Sequence, residues 1–184
     1  MKKKETTNSI LKEIRDLLKE SLKKEVSGVE VPKDENFVTI DFPNKTAKEI
    51  VEDCNNKLGE GKLLFNTSWY ENEDFYAKEK CRPGKRLVSK ELIGLGKDWN
   101  ECKKLAEEKG GDMLNYAETI FFIKEHFKLT GKYPWNLKYS WTSSSSSRGY
   151  LVNVGYGDAD GVFVVDDSPR YSASDLGLCF SRTI

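Results

Sequence analysis

The chain holds one histidine, four cysteines and a few closely spaced aspartates, and these bound the chemistry it can do. His126 stands beside Phe127 in a stretch with helical spacing, so it reads as a surface or half-buried residue, and no catalytic triad can be assembled around it. Asp158-Ala159-Asp160-Gly161 matches the opening of a calcium-binding loop. The third acidic position and the distal glutamate are missing, because no glutamate follows Glu125. A glycine-tipped turn is the first reading there and calcium the alternative. Asp166 and Asp167 could act as an acid and base pair, but neighbours on an extended segment point to opposite faces, which argues against a glycosidase-like role. Cys54, Cys81, Cys102 and Cys179 form no CxxC pair, so neither a metal knuckle nor a thiol redox motif is supported. Buried thiols and one disulfide are the two readings left open. No cofactor is expected.

What the tail does offer is recognition chemistry. Beyond Lys138 there is no lysine and no glutamate, although both dominate everything before it, and Ser, Gly, Asp, Tyr and Val take over. Large stiff aromatics mixed with adaptable Ser, Gly, Asn and Asp are the composition of antibody combining sites. The serine run at 143–147, taken alone, reads as a linker. Trp141 before it and a strand after it make it a tethered loop instead.

At 184 residues the chain fits one main domain and a short appendage. Thirty Lys and Arg balance thirty Asp and Glu, so no global field recruits nucleic acid or an anionic membrane. The basic N-terminus lacks the apolar core of a signal peptide and no run could span a bilayer, so a soluble chain without either is expected. Residues 1–31 form the appendage: Ile10, Ile14, Leu17, Leu18, Leu22 and Val26 make the stripe of an amphipathic helix over residues 9–26. That stripe packs on its own domain or serves as a self-association seam.

The elements of the main domain, 32–184, follow in order. Phe37, Val38, Ile40 and Phe42 suggest a strand, and Thr46 with Glu49 a capping box opening a helix through Ile50, Val51, Cys54 and Leu58. Short strands and turns are expected from Gly59 to Gly96, with apolar pieces at Leu63-Leu64-Phe65, Trp69-Tyr70 and Leu87-Val88. Asp98 caps a helix from Trp99 to Lys109, stopped by Gly110-Gly111, and a second helix runs from Tyr116 to Lys128. Three strand-like pieces close the chain, at 151–154, 162–165 and 176–180. The fold class is α+β.

Two stretches together carry a resemblance. Trp99-Asn100-Glu101-Cys102 through Ala106 to Gly110-Gly111-Asp112-Met113-Leu114, followed by a helix with Phe122-Ile123-Lys124, resembles the two-helix segment of C-type-lectin-like domains. The last 46 residues resemble the variable region of diversity-generating retroelement target proteins, which share that fold; the matching pieces include Tyr139-Ser140-Trp141-Thr142-Ser143, Gly149-Tyr150-Leu151-Val152 and Leu176-Gly177-Leu178-Cys179-Phe180. Trp69-Tyr70-Glu71-Asn72-Glu73-Asp74-Phe75 and Arg86-Leu87-Val88-Ser89-Lys90-Glu91 are similar to archaeal and small-genome bacterial members.

The resemblance implies a C-type-lectin-like fold with two helices and small antiparallel sheets. It also implies a ligand-binding protein, not an enzyme, whose 3′ gene end is rewritten by a reverse transcriptase. The region 139–182 would be the variable one. Tyr150, Asn153, Tyr156, Gly157, Asp160, Phe163, Asp166, Asp167, Arg170, Tyr171, Ser174 and Asp175 would be the diversified, ligand-facing positions. Gly149, Leu151, Val154, Gly155, Gly161, Pro169, Leu176, Cys179 and Arg182 would form the scaffold. The calcium motifs of sugar-binding lectins are missing, so calcium-dependent sugar binding does not carry over, and a bridge from Cys102 to Cys179 would be shifted by one helical turn. The partner would be an unknown protein or surface ligand. Two alternatives stand beside this reading: an enzyme related to the formylglycine-generating branch of the fold, which needs a reactive cysteine arrangement where the tail has only Cys179, and a structural virion or cell-surface protein.

Overall fold

A computed structural model of the chain describes residues 35–55, Leu63, 68–158 and 161–184, without the side chains of Asn55 and of 156–158. The expected amphipathic helix at 9–26 lies outside these residues. So does the Leu63-Leu64-Phe65 strand piece, apart from Leu63.

Among the described residues the protein is mixed α+β, with four helices and two four-stranded sheets. The strands are β1 (Phe37–Phe42), β2 (Gly84–Ser89), β3 (Asp112–Met113), β4 (Tyr139–Ser145), β5 (Leu151–Asp158), β6 (Gly161–Asp167), β7 (Leu176–Leu178) and β8 (Phe180–Thr183). The helices are α1 (Ala47–Asn55), α2 (Asp74–Ala77), α3 (Trp99–Glu108) and α4 (Tyr116–Thr130). The first sheet runs β1-β2-β8-β3 and is antiparallel throughout. The second runs β6-β5-β4-β7, with a parallel pair where β7 joins β4. Trp69 and Tyr70, in the stretch where short strands and turns are expected, sit in a turn.

Three helices begin with reciprocal caps. Thr46 and Glu49 satisfy each other's backbone N–H ahead of α1, as do Asp98 and Glu101 ahead of α3, and Asn115 and Glu118 ahead of α4. Gly131 ends α4 in the left-handed region at φ 68°, where its N–H reaches the Phe127 carbonyl. Helix α4 is the central one: Tyr116, Ala117, Ile120, Phe122 and Ile123 are all buried, so apolar residues surround it more than they stripe it. They pack with Ile50, Val51 and Cys54 of α1, Val88 of β2, and Val152, Val154, Val162 and Val164 of the second sheet. The other face of that sheet buries Trp141, Leu176 and Leu178 with Cys102 and Ala106 of α3, beside Phe37 and Phe180.

One ion cluster ties these layers. The Glu118 side chain is fully buried and accepts from Arg82 through its backbone N–H, Nε and Nη2, each at 2.9 Å. It also accepts from Arg86 Nη2 and from the Asn115 N–H. Arg82 reaches on to Asp112 and to the Met113 carbonyl, and the Arg86 guanidinium lies 4.4 Å over the Phe42 ring. Burial alone pushes the Glu118 carboxyl up, but the hydrogen bonds and charges of Arg82 and Arg86 outweigh it and hold the group below its ordinary 4.5. With the folded value below the unfolded one, this share of stability is present above pH 4.5 and is lost as pH falls through the folded value.

All four cysteines are buried and free, so the Cys102–Cys179 bridge does not form. The Cys102 thiol donates toward the Gly94 carbonyl, whereas Cys179 meets the Ser89 carbonyl at 3.3 Å, and the two belong to different core clusters. Burial pushes Cys81 and Cys179 up to about 12 and Cys102 to about 11.

Glu118→Gln should lower the unfolding free energy at pH 7 by about 3 kcal/mol, because two guanidinium groups lose their carboxylate while half-exposed Arg82 keeps some water. Denaturant titrations across pH should also show a flatter acid limb below pH 4.5 in the variant; an unchanged limb would show that Glu118 does not set it. For the thiols, a thiol-reactive aromatic disulfide should react slowly with the native protein and count four groups once the unreduced protein is denatured. A count of two would mean a bridge.

Candidate ligand-binding face

The second sheet sets which tail side chains can face outward. Strand β5 is interior to it, between β6 and β4, so both of its edges are hydrogen-bonded, and its faces are covered by α4 on one side and by the cluster around Trp141 and Leu151 on the other. Val152 and Val154 pack toward α4, while Asn153, one step out of phase, is aligned with Trp141 on β4 and Val165 on β6. Asn153 is 1% exposed and its Nδ2 donates to Asp167 at 2.9 Å. Gly155 is required by close approach, since a Cβ there would lie 2.0 Å from the Lys138 carbonyl oxygen. Strand β6 is an edge. It buries Val162 and Val164 and leaves Val165 exposed.

The serine run is not a loop over its first half: residues 143–145 belong to β4, with an irregular register between Trp141 and Ser145. Its polar atoms are used internally. Thr142 Oγ1 donates to the Val152 carbonyl, Ser144 Oγ donates to Glu79 and accepts from the Tyr116 N–H, and the Ser143 N–H reaches the Leu114 carbonyl. Ser147 donates both its N–H and its hydroxyl to the Glu73 carboxylate, each at 2.7 Å. A segment that composition marks as flexible is therefore pinned at nearly every residue.

That pinning builds an exposed end to the sheet. Arg148 pairs with Asp166 at 2.6 Å and stands 5.8 Å from the ring centres of both Trp69 and Tyr150. Trp69, Glu73, Ser147, Arg148, Val165 and Asp166 line an open cleft of about 580 Å³, and a neighbouring one of about 540 Å³ shares Trp69, Glu73 and Ser147. The Asp166 side chain is itself buried beneath Arg148, with Oδ2 lacking a hydrogen-bond partner among the described residues. Loop 168–175 follows on from the same end of β6. It is held where the Trp99 N–H meets the Pro169 carbonyl, where the Gly96 N–H meets that of Ala173, and where the Tyr139 N–H meets that of Asp175.

The nominated residues divide accordingly. Tyr150 and Tyr171 are 44% and 46% exposed, and Arg170 and Ser174 are also exposed. Asp167 and Asp175 are half-buried, Asp167 being the acceptor for Asn153. Asn153, expected to face a ligand, is corrected to a scaffold residue because it lies on the covered face of β5 that carries Leu151, aligned with Trp141, and is bonded to Asp167, whereas Asp166 is half-buried and lines the cleft with its carboxylate paired to Arg148. Phe163 is half-buried opposite Gly155, four residues along the strand from the Leu151–Asp167 pair, roughly 13 Å away at strand rise. The structure does not join it to the Tyr150 end. Tyr156 and Gly157 lie in β5, but the Tyr156 side chain, the burial of Gly157 and all of Asp160 are outside what the structure describes. Missed by the sequence reading were Trp69, Arg148 and Val165. The signal for Val165 was its place on the last strand of a hairpin, out of phase with Val162 and Val164.

Elsewhere, His126 is a local fastener, its Nδ1 2.9 Å from the Lys132 carbonyl oxygen. Among the described residues no group of three or more histidine, cysteine, aspartate or glutamate side chains could hold a metal ion, and no helix is long and apolar enough to cross a membrane. Comparison with protein-family models, curated proteins and solved structures found no match to this chain. What the exposed end can do is stack on apolar or aromatic groups and make charge-assisted hydrogen bonds.

Thermal melts should separate two groups of alanine variants. Those at Tyr150, Tyr171 and Arg170 should stay within about 0.5 kcal/mol of wild type. Those at Trp141, Val154 and Phe180, all buried, should lose about 2 to 5 kcal/mol. Asn153→Ala should fall with the second group, by about 1 to 3 kcal/mol, since it deprives Asp167 of a donor in a buried setting. An Asn153 variant as stable as wild type would return that residue to the outward-facing set.

Proposed function

We propose that the chain is a recognition protein with a C-type-lectin-like fold, whose C-terminal surface is diversified by a retroelement and binds a protein or surface ligand through exposed side chains on a fixed backbone. The observation that carries this reading is the combination found at one end of the second sheet. Exposed Trp69, Tyr150, Arg148 and Tyr171 stand on segments whose backbone is tied down, by buried Thr142 and Ser144 contacts, by the surface bonds from Ser147 to Glu73 and, for Tyr171, by the backbone bonds of loop 168–175. Tyr, Trp and Arg are the side chains that most often anchor interfaces, and a locked backbone lets them change without refolding. Two helices, α3 and α4, ahead of a strand-rich tail, with β8 returning to pair with β2, also fit such a fold. The enzymatic alternative gains nothing from Cys179, whose thiol is buried and pushed up to about 12.

The neighbouring DNA tests the retroelement directly. The expected finding is a reverse-transcriptase gene beside an adenine-rich near-copy of the 3′ end. Its adenines should align with the codons for Tyr150, Val165, Arg170, Tyr171 and Ser174 and spare those for Trp141, Leu151, Val154 and Gly155. A locus with neither feature would refute diversification, and adenines aligned with the buried codons would refute the surface assigned here.

A further inference from the structure

A third cleft lies on the first sheet, and it owes nothing to the tail face or to the function proposed for it. We propose that it is an oxyanion site, taking a phosphate or carboxylate group carried by a small ligand. The cleft, of about 450 Å³, opens between β2, β8 and the loop at 110–112. The residues lining it include four cationic ones, Arg82, Lys85, Arg86 and Arg182, with Asp112 among them and Glu118 behind; strand alternation puts Lys85 and Arg182 on one face of the sheet and Arg86, with Glu118, on the other. The balance is therefore positive, which favours an anion and disfavours a metal ion.

The four cations are not equivalent. Arg82 and Arg86 are committed to Glu118 and Asp112. Lys85 is exposed at the mouth, without an ion pair among the described residues. Arg182 is the unusual one. Its guanidinium is stacked 4.5 Å over Phe37 and 5.6 Å over Phe180, and its Nε is buried with no acceptor among the described residues. A desolvated guanidinium N–H without a partner is a standing cost in the free protein, relieved by any oxyanion that reaches it. The two rings fix the plane of the fork, so little further ordering is needed to present it.

The surroundings leave room. Strand β3 covers β8 only at Phe180 and Ser181, so beside Arg182 and Thr183 no strand among the described residues continues the sheet on that side. Gly84, Gly110 and Gly111 line the cleft without side chains. Gly111 lies so flat on the sheet that a Cβ would come within 2.4 Å of the Phe180 ring, which holds the loop wall in place.

Heteronuclear NMR titration of the full chain tests the site, using inorganic phosphate and, separately, acetate, each at constant ionic strength against sodium chloride. Saturable shifts at the Arg182 Nε–H and around Lys85 are expected from at least one of the two; saturation by phosphate alone assigns a phosphate group, and by acetate alone a carboxylate. Lys85→Gln, an exposed change that leaves the fold intact, should weaken the binding about tenfold, the loss of one charge-assisted contact. Arg182→Gln should remove it. Linear shifts with both anions, or saturation that is the same in Lys85→Gln and wild type, would overturn the assignment.

Discussion

The architecture depends on one buried carboxylate. Glu118 caps its own helix and at the same time holds Arg82 and Arg86, so the start of α4, the approach to β2 and β2 itself meet at a single group. Such a charge tolerates burial only when every lone pair is taken, and here backbone and guanidinium donors converge on both oxygens. Helix α4 in turn is the floor on which Val152, Val154, Val162 and Val164 of the second sheet rest. The exposed end of that sheet thus stands on a helix whose first turn is held by the ion cluster.

The tail resolves a conflict between composition and order. Serine, glycine and aspartate usually mark flexible chain, yet here Thr142, Ser144 and Ser147 spend their hydroxyls on Val152, Glu79 and Glu73. Those partners lie in a different part of the sequence or on a neighbouring strand, so the bonds knit the irregular β4 segment to the body. Small polar residues also leave the surface uncrowded, which lets Arg148 sit between Trp69 and Tyr150. Recognition surfaces that vary while the fold stays constant need this separation between residues that hold and residues that touch.

Local signals made much of this legible from the residues alone. The Thr46–Glu49 box, the Asp98 cap and the strands at Phe37–Phe42 and in the tail follow from spacing and capping chemistry. What escaped depends on contacts distant in sequence. That Asn153 is buried follows from what packs on its face of β5, around Trp141 and Leu151, and such packing is not written in a four-residue run. The alignment of Glu118 with Arg82 and Arg86 spans more than thirty positions and has no periodic signature. Trp69 lay outside the compositional break at Lys138, so a reading focused on the tail passed over the residue that lines both clefts of the exposed end.

The account's central claim is that this end of the molecule separates fixed backbone from replaceable side chains. A saturation scan of residues 139–182, read out as the fraction of each variant that displays folded on a cell surface, measures that separation most directly. The account predicts that Tyr150, Val165, Arg170, Tyr171 and Ser174 accept nearly every residue type, while Trp141, Thr142, Ser144, Asn153, Val154 and Gly155 accept almost none. Tolerance spread evenly over both sets, or confined to the buried one, would contradict it.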